Sequence, residues 1–297
     1  MKSERYRVPA ALALIGLLLA AVIAEWSPAF KTSAATAVSA SQEYRHLRYG
    51  NPSGATEETS SKDNFLMKKP YFALSYNNTN GTPHWVSWHL VARDLGEADR
   101  VPFYPDDTLP SGFKVVKPHD YVHSGFDRGH MCNHSDRAAT NESSEATFVM
   151  TNMVPQSPNN NQKCWDQLEE YCRSLVKKGK ELYIICGPAG KGGEGRNGFK
   201  STLVNGKVVV PAKTWKVILV LKNGGQVDKY TRLIGVVVPN NQEVDYEWAK
   251  FRVPVKEIED LTGYTFFDKA DANILGPLKE ERDEVPIPPP VPVHHGN

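Results

Sequence analysis

The segment FDRGHMCNHSDR, residues 126–137, sets two aspartates, two arginines and two histidines around one glycine. Those residue types suit chemistry at a phosphate. An imidazole is the natural general base near neutral pH, and guanidinium groups grip phosphate oxygens in a fork. His130 is the candidate base. Gly129 would let the backbone turn sharply or let a substrate approach closely. Further along, Asn161, Trp165, Glu169 and Arg173 recur at four-residue steps, so a regular helix would put them on one face. Asn161 falls near the start of that helix, where amide oxygens cap and the dipole favours anions. An Asn carbonyl oxygen, with waters held by Glu169, makes an open shell for a hard cation such as Mg²⁺. A base, one cation and several arginines are the parts needed to hydrolyse a phosphodiester. The competing reading is a structural Asn cap beside solvated charges.

The elements around these residues point to an α+β layered fold. NNQKCWDQLEEYCRSLVKKGK is the strongest helix, with Trp165, Leu168, Cys172, Leu175 and Val176 at three- and four-residue steps and a stop at Lys178-Gly179. YFALSYNNTNGTPHWVSWHLV reads as two strands around a turn at Asn80-Gly81. ELYIIC, VVVPAKTWKVILVL and YTRLIGVVVPN read as further strands, Thr147–Met150 as a short one, and VPVKEIEDLTG as a helix ending at Gly263. Strands and helices do not alternate strictly, so the sheet should be largely antiparallel or mixed.

The 297 residues carry a formal charge of +1, so no bulk electrostatics drive nucleic-acid binding. Any such function must rest on a local site. Lys2, Arg5 and Arg7 precede an apolar run from Ala10 to Ala24. Residues 1–24 read as an export signal, leaving a periplasmic or secreted protein without stable membrane insertion after cleavage. An uncleaved anchor is the competing reading, but the run is short for a bilayer, which wants about 20 residues. Residues 25–60 read as a flexible linker and 61–280 as the catalytic domain. Residues 281–297 read as a proline-rich, disordered tail.

Cys132, Cys164, Cys172 and Cys186 fit an oxidising compartment. Sequence alone allows three pairings; Cys172–Cys186 with Cys132–Cys164 is the favoured one, and four free buried thiols are the alternative. CGPAGKGGEGRNG lacks the G-x-x-x-x-G-K-[ST] pattern and reads as a flexible surface loop. His84, His89, His119 and His123 read as surface or satisfied histidines, and His294 and His295 fall in the tail.

DRGH followed by TNMVPQ and then NNQ-x-x-W-x-x-L-E-x-Y-x-R resembles the DNA/RNA non-specific endonucleases, the sugar-non-specific bacterial nucleases and their relative mitochondrial endonuclease G. The likeness runs from about Tyr71 to about Leu278. It implies a mostly antiparallel central sheet flanked by helices, with a ββα-metal motif at the site. By position it places His130 as general base, Asn161 as the direct metal ligand and Glu169 as the acid holding metal-bound water. Arg128 and Arg173 fall on arginines near the phosphate, and Arg100 on an upstream arginine that steadies the transition state. Asp127 and Asn152 take supporting roles. The implied activity is endonucleolytic hydrolysis of DNA and RNA with little sequence or sugar specificity. It would use one Mg²⁺ (or Mn²⁺) and give 5′-phosphate ends, and a protein inhibitor would be a partner. An inactive nuclease fold that only binds nucleic acid is the alternative. Asn133 stands where the family often has proline, and His134 is unusual, in a loop expected to touch no residue with a direct role. Oligomeric state is left open.

Overall fold

The computed structural model describes residues 45–287, all within a unit spanning Ser39–Asn297. The expected export signal and the His294-His295 pair lie outside the described residues. Among the described residues no helix is long and apolar enough to cross a membrane.

β1 (Phe65–Lys68), β2 (Ala73–Asn77) and β3 (Thr82–Leu90) form a meander whose second turn is the expected one at Asn80-Gly81. β4 (Asp127–His130) and β5 (Met153–Gln156) pair apart from it, separated in sequence by the short helix α1 (Asn141–Glu145). The long helix α2 (Asp166–Lys177) leads through Gly179, whose φ of 80° suits a glycine, into β6 (Lys180–Ala189). Two small ribbons follow, β7 (Gly193–Gly195) with β8 (Gly198–Lys200) and β9 (Thr202–Leu203) with β10 (Val208–Val209). β11 (Lys213–Lys222), β12 (Arg232–Pro239) and β13 (Arg252–Val253) complete the sheet, and α3 (Val255–Thr262) and α4 (Ala272–Glu280) follow.

The main sheet has seven strands in the order β1-β2-β3-β6-β11-β12-β13, every neighbouring pair antiparallel. The fold is therefore α+β with a large antiparallel sheet. The two-residue alternation of a strand divides the apolar side chains between two cores. Leu182, Ile184 and Cys186 of β6 join Ile218 and Val220 of β11 on the face covered by Trp165, Leu168, Cys172 and Val176. Tyr183 and Ile185 join Trp215, Val217 and Leu219 on the opposite face, under Val255, Ile258 and Leu275. Each fully buried Leu or Ile contributes about 1.5–3 kcal/mol relative to exposure. That explains why LYIIC, residues 182–186, is an unbroken apolar run: its strand is buried on both faces.

Several expectations change. The four cysteines are free and buried, all in the core beneath α2. They serve as small apolar fillers, and burial raises every thiol, Cys164 and Cys172 to about 12. Residues 45–55 are packed rather than free: Tyr49 and Ala55 are buried against the sheet, and Asn51 bonds Ala55 in both directions at 2.8 and 3.0 Å. At the other end, Asp283 is buried and ion-paired with Arg232 and Arg252 at 2.6 and 3.0 Å, so packing persists into the segment read as a tail. The strand expected at Thr147–Met150 is two 3₁₀ turns, and the strand comes after them, at β5. Lys191–Lys200 is not a loose loop but contains the β7–β8 ribbon.

Candidate active site

β4, β5 and the start of α2 bring the motif residues together. A cavity of 510 Å³ is lined by Arg100, Asp127, Arg128, His130, Asn133, Asn161, Asp166 and Glu169, with Phe103, Tyr121 and Phe126 as aromatic wall. Arg173, Gly129 and Asn152 do not line it.

His130 ends β4, opposite Met153 of β5. Its ring packs edge-on against Phe148 at 4.9 Å and tilted against Phe103 at 5.4 Å. The same two rings carry the arginines, Arg100 over Phe148 at 5.1 Å and Arg128 over Phe103 at 4.7 Å. Two phenylalanines thus hold an imidazole and two cations at one wall, by ring packing and cation–π attraction. Burial, then Arg100 and His134, push the His130 imidazole down to about 3, and its Nε2 is buried without a protein partner. The ring is therefore neutral at neutral pH.

Gly129 answers to a different constraint from the one expected. A Cβ there would lie 1.8 Å from Oε1 of Gln156 across the β4–β5 pair. Gln156 needs that space to donate to Asn160 Oδ1 at 3.2 Å. Asn160, fully buried, also donates to Thr214 Oγ1 and the Pro239 carbonyl. Asn160 therefore ties the start of the helix to the sheet and leaves Asn161 for the cavity. Asn152 bonds both the N–H and the carbonyl of Cys132, at 2.9 Å each, fixing the chain just beyond His130.

The helix does not begin as a regular α-helix. Asn160–Trp165 forms a π turn before α2. Its i→i+5 spacing shifts the four-residue steps, so Asn161 and Glu169 meet the cavity while Trp165 is buried in the core. Asn161 Nδ2 donates to Asp127 Oδ2 at 3.0 Å, and Gln162 Nε2 donates to the same oxygen at 2.7 Å. Asp127 thus orients the Asn161 amide, leaving Oδ1 free. Arg173, expected at the phosphate, is held instead by Asp136 at 3.3 Å; Asp136 also accepts from Trp88 Nε1 at 3.0 Å.

Glu169 is 3% exposed. Burial pushes its carboxyl up to about 7, against the pull of Lys216 and Arg173. Oε1 lies 3.4 Å from Nζ of Lys216, and Oε2 accepts from Nδ2 of Asn133. Asn133 therefore does touch an expected site residue. Lys216 is fully buried with its ammonium 4.3 Å from the Trp165 ring. Burial is the largest single influence and opposes that charge, but Glu169 first, then Cys186, Cys172 and Asp136, together raise the ammonium above the ordinary lysine value. The sequence carried a signal for this residue, a lone lysine inside the apolar run TWKVILVL. Nothing comparable marked Phe103 or Phe148.

A hard divalent cation fits the donor set. Asn161 Oδ1, Asp127, Asp166 and Glu169 are oxygen donors around one cavity, the ligand type Mg²⁺ takes. Among the described residues no three His, Cys, Asp or Glu side chains form a metal cluster.

A family model described as DNA/RNA non-specific endonuclease matches residues 50–273. The chain is 46% identical over 243 residues to a nuclease of Nostoc sp., covering 80% of this chain and 86% of that one. It is 35% identical to nuclease C1 of Cunninghamella echinulata, covering 78% and 91%. Its fold is similar to a chain in the crystal structure of the EndoG/EndoGI complex, with TM-score 0.65, 26% identity and coverage of 78% and 94%. A neutral buried histidine, two arginines and a carboxamide around one cavity agree with that likeness, and the chain belongs to the DNA/RNA non-specific endonuclease family.

Proposed function

We propose that the protein is an exported, metal-dependent endonuclease that hydrolyses phosphodiester bonds of DNA and RNA to 5′-phosphate ends. The observation that carries this reading is the neutral, buried His130 in the same cavity as Asn161, Glu169, Arg100 and Arg128. Asn161 would hold Mg²⁺ (or Mn²⁺) directly, oriented by Asp127, and Glu169 would hold it through water. When bound, the cation supplies charge stabilisation at the phosphate and the leaving 3′ oxygen.

His130 takes a proton from the attacking water, its neutral form secured by burial. Arg100 and Arg128 bind the non-bridging phosphate oxygens, their guanidinium planes steadied on Phe148 and Phe103. Arg173 acts from behind the cavity, pairing Asp136 beside Glu169. Contacts to phosphate rather than base edges account for indifference to sequence, and little use of the 2′ hydroxyl admits both DNA and RNA. Export rests on the basic, then apolar, N-terminal residues. The EndoG/EndoGI complex is the precedent for a protein inhibitor as partner.

The test is incubation with circular single-stranded DNA, supercoiled plasmid and structured RNA, with Mg²⁺ and with chelator, beside Asn161→Ala. Loss of all three substrates only in wild type with metal is expected. Intact substrates, or cleavage in chelator, would overturn the reading.

A further inference from the structure

Asn133 is the residue at which this chain departs from the motif it otherwise follows, and its side chain has two commitments. Oδ1 accepts from the Ser135 N–H at 2.7 Å, capping the 3₁₀ turn His134–Arg137. With that oxygen engaged, the NH₂ end can point only away from the turn, and Nδ2 donates to Glu169 Oε2. The other carboxylate oxygen faces Lys216 at 3.4 Å, and Lys216 is fixed by burial in β11 between Trp165 and Trp88. The Glu169 carboxylate is therefore held at both oxygens, by a strand on one side and a capped loop on the other. Of these two partners only Asn133 also lines the cavity.

We propose that Asn133 is a positioning residue that fixes the Glu169 carboxylate for the divalent cation; the inference rests on the function proposed above. A proline at this position would carry no side-chain donor, so the contact is a feature of this chain. Outer partners that orient the groups around a metal tune its affinity as strongly as many direct contacts do. Lys216 cannot substitute for Asn133, because it holds only the oxygen on the core side.

A residue that merely capped the turn would need only an oxygen, which serine supplies. Asn133→Ser keeps the cap but is too short to reach Glu169, whereas Asn133→Ala loses both contacts. Mg²⁺ and Mn²⁺ would be titrated into the metal-free full chain while the unfolding midpoint is followed. Cleavage of supercoiled plasmid would then be measured over the same Mg²⁺ range. The expected result for Asn133→Ser is a metal-free midpoint lowered less than in Asn133→Ala and a half-saturating Mg²⁺ raised about tenfold in both readouts. Activity at saturating Mg²⁺ should recover. Asn133→Ala should show the same shift with a lowered metal-free midpoint. Asn133→Ser that titrates as wild type overturns the proposal, as does a wild-type midpoint that ignores divalent ions. Failure of the nuclease reading is separate: wild type would leave plasmid intact, while the midpoint titration still reports on Asn133.

Discussion

Asp127 and Asn161 stand 34 residues apart in sequence and are joined by a 3.0 Å hydrogen bond from Nδ2 to Oδ2. That bond decides which end of the amide meets the cavity. In Asp127→Ala the amide can turn and offer N–H groups where an oxygen is required. The Mg²⁺ needed for half-maximal cleavage should rise about 10–100-fold, with the fold retained because Asp127 is only half-buried. Plasmid cleavage over a Mg²⁺ series checks it; an unchanged requirement would mean that Asn161 is oriented by something else.

His130→Ala should lower kcat by about 10²–10⁴-fold, the usual contribution of a general base. Its pH behaviour is equally specific. With the ring held down to about 3 by burial, Arg100 and His134, the base stays unprotonated as pH falls through the ordinary histidine range. A profile of kcat/KM, which reports on the free enzyme, should show no His130 break near about 6.5. A wild-type break there that disappears in His130→Ala residual activity would contradict the burial argument.

The four free, buried cysteines predict a thiol count. A thiol-reactive dye should label none of them in the native protein, since burial raises each thiol and only thiolate reacts. All four should react in denaturant, and a reducing agent should leave the melting midpoint unchanged. Two disulfides would give no thiols in denaturant and a midpoint that falls on reduction.

Acid should destabilise the fold through His89. Its Nε2 lies 3.6 Å from Glu181, yet burial, then Arg45, hold its ring down to about 3. The unfolded chain takes up that proton near about 6.5, whereas the folded chain does so only near 3. Stability is therefore full above the unfolded value and falls as pH drops toward the folded one. Between pH 7 and 5 the share of His89 in that loss is about 2 kcal/mol. His89→Gln should shrink the difference in urea stability between those two pH values by about that amount. An unchanged difference would place the acid sensitivity elsewhere, at His46 or His130, the other buried histidines with depressed values.

Much of this protein is written in local pattern. The apolar alternation of β2 and β3, the unbroken run of β6 and the three- and four-residue steps of α2 each follow from burial on one or two faces, which periodicity records directly. The residue types at His130, Asn161 and Glu169, in order and at their spacing, pointed to phosphate chemistry, and all three line one cavity. What periodicity could not announce was which neighbours complete those residues. At the π turn Asn160–Trp165, Asn160 is bonded to Gln156, Thr214 and Pro239, and all but the first come from strands more than fifty residues away. Gly129 looked like a turn, but its small size serves Gln156 on the paired strand. Four cysteines in a chain read as exported suggested bridges, but the sheet and helix place four thiols in an apolar core as filler. Phe103 and Phe148 were silent, because an aromatic residue that holds a histidine and two arginines has the same local signature as one that fills a core. The sequence by itself determined the chemistry available and the strands and helix that carry it. Only the tertiary structure decided the orientation and charge state of those groups, because both depend on burial and on partners that meet across long sequence separations.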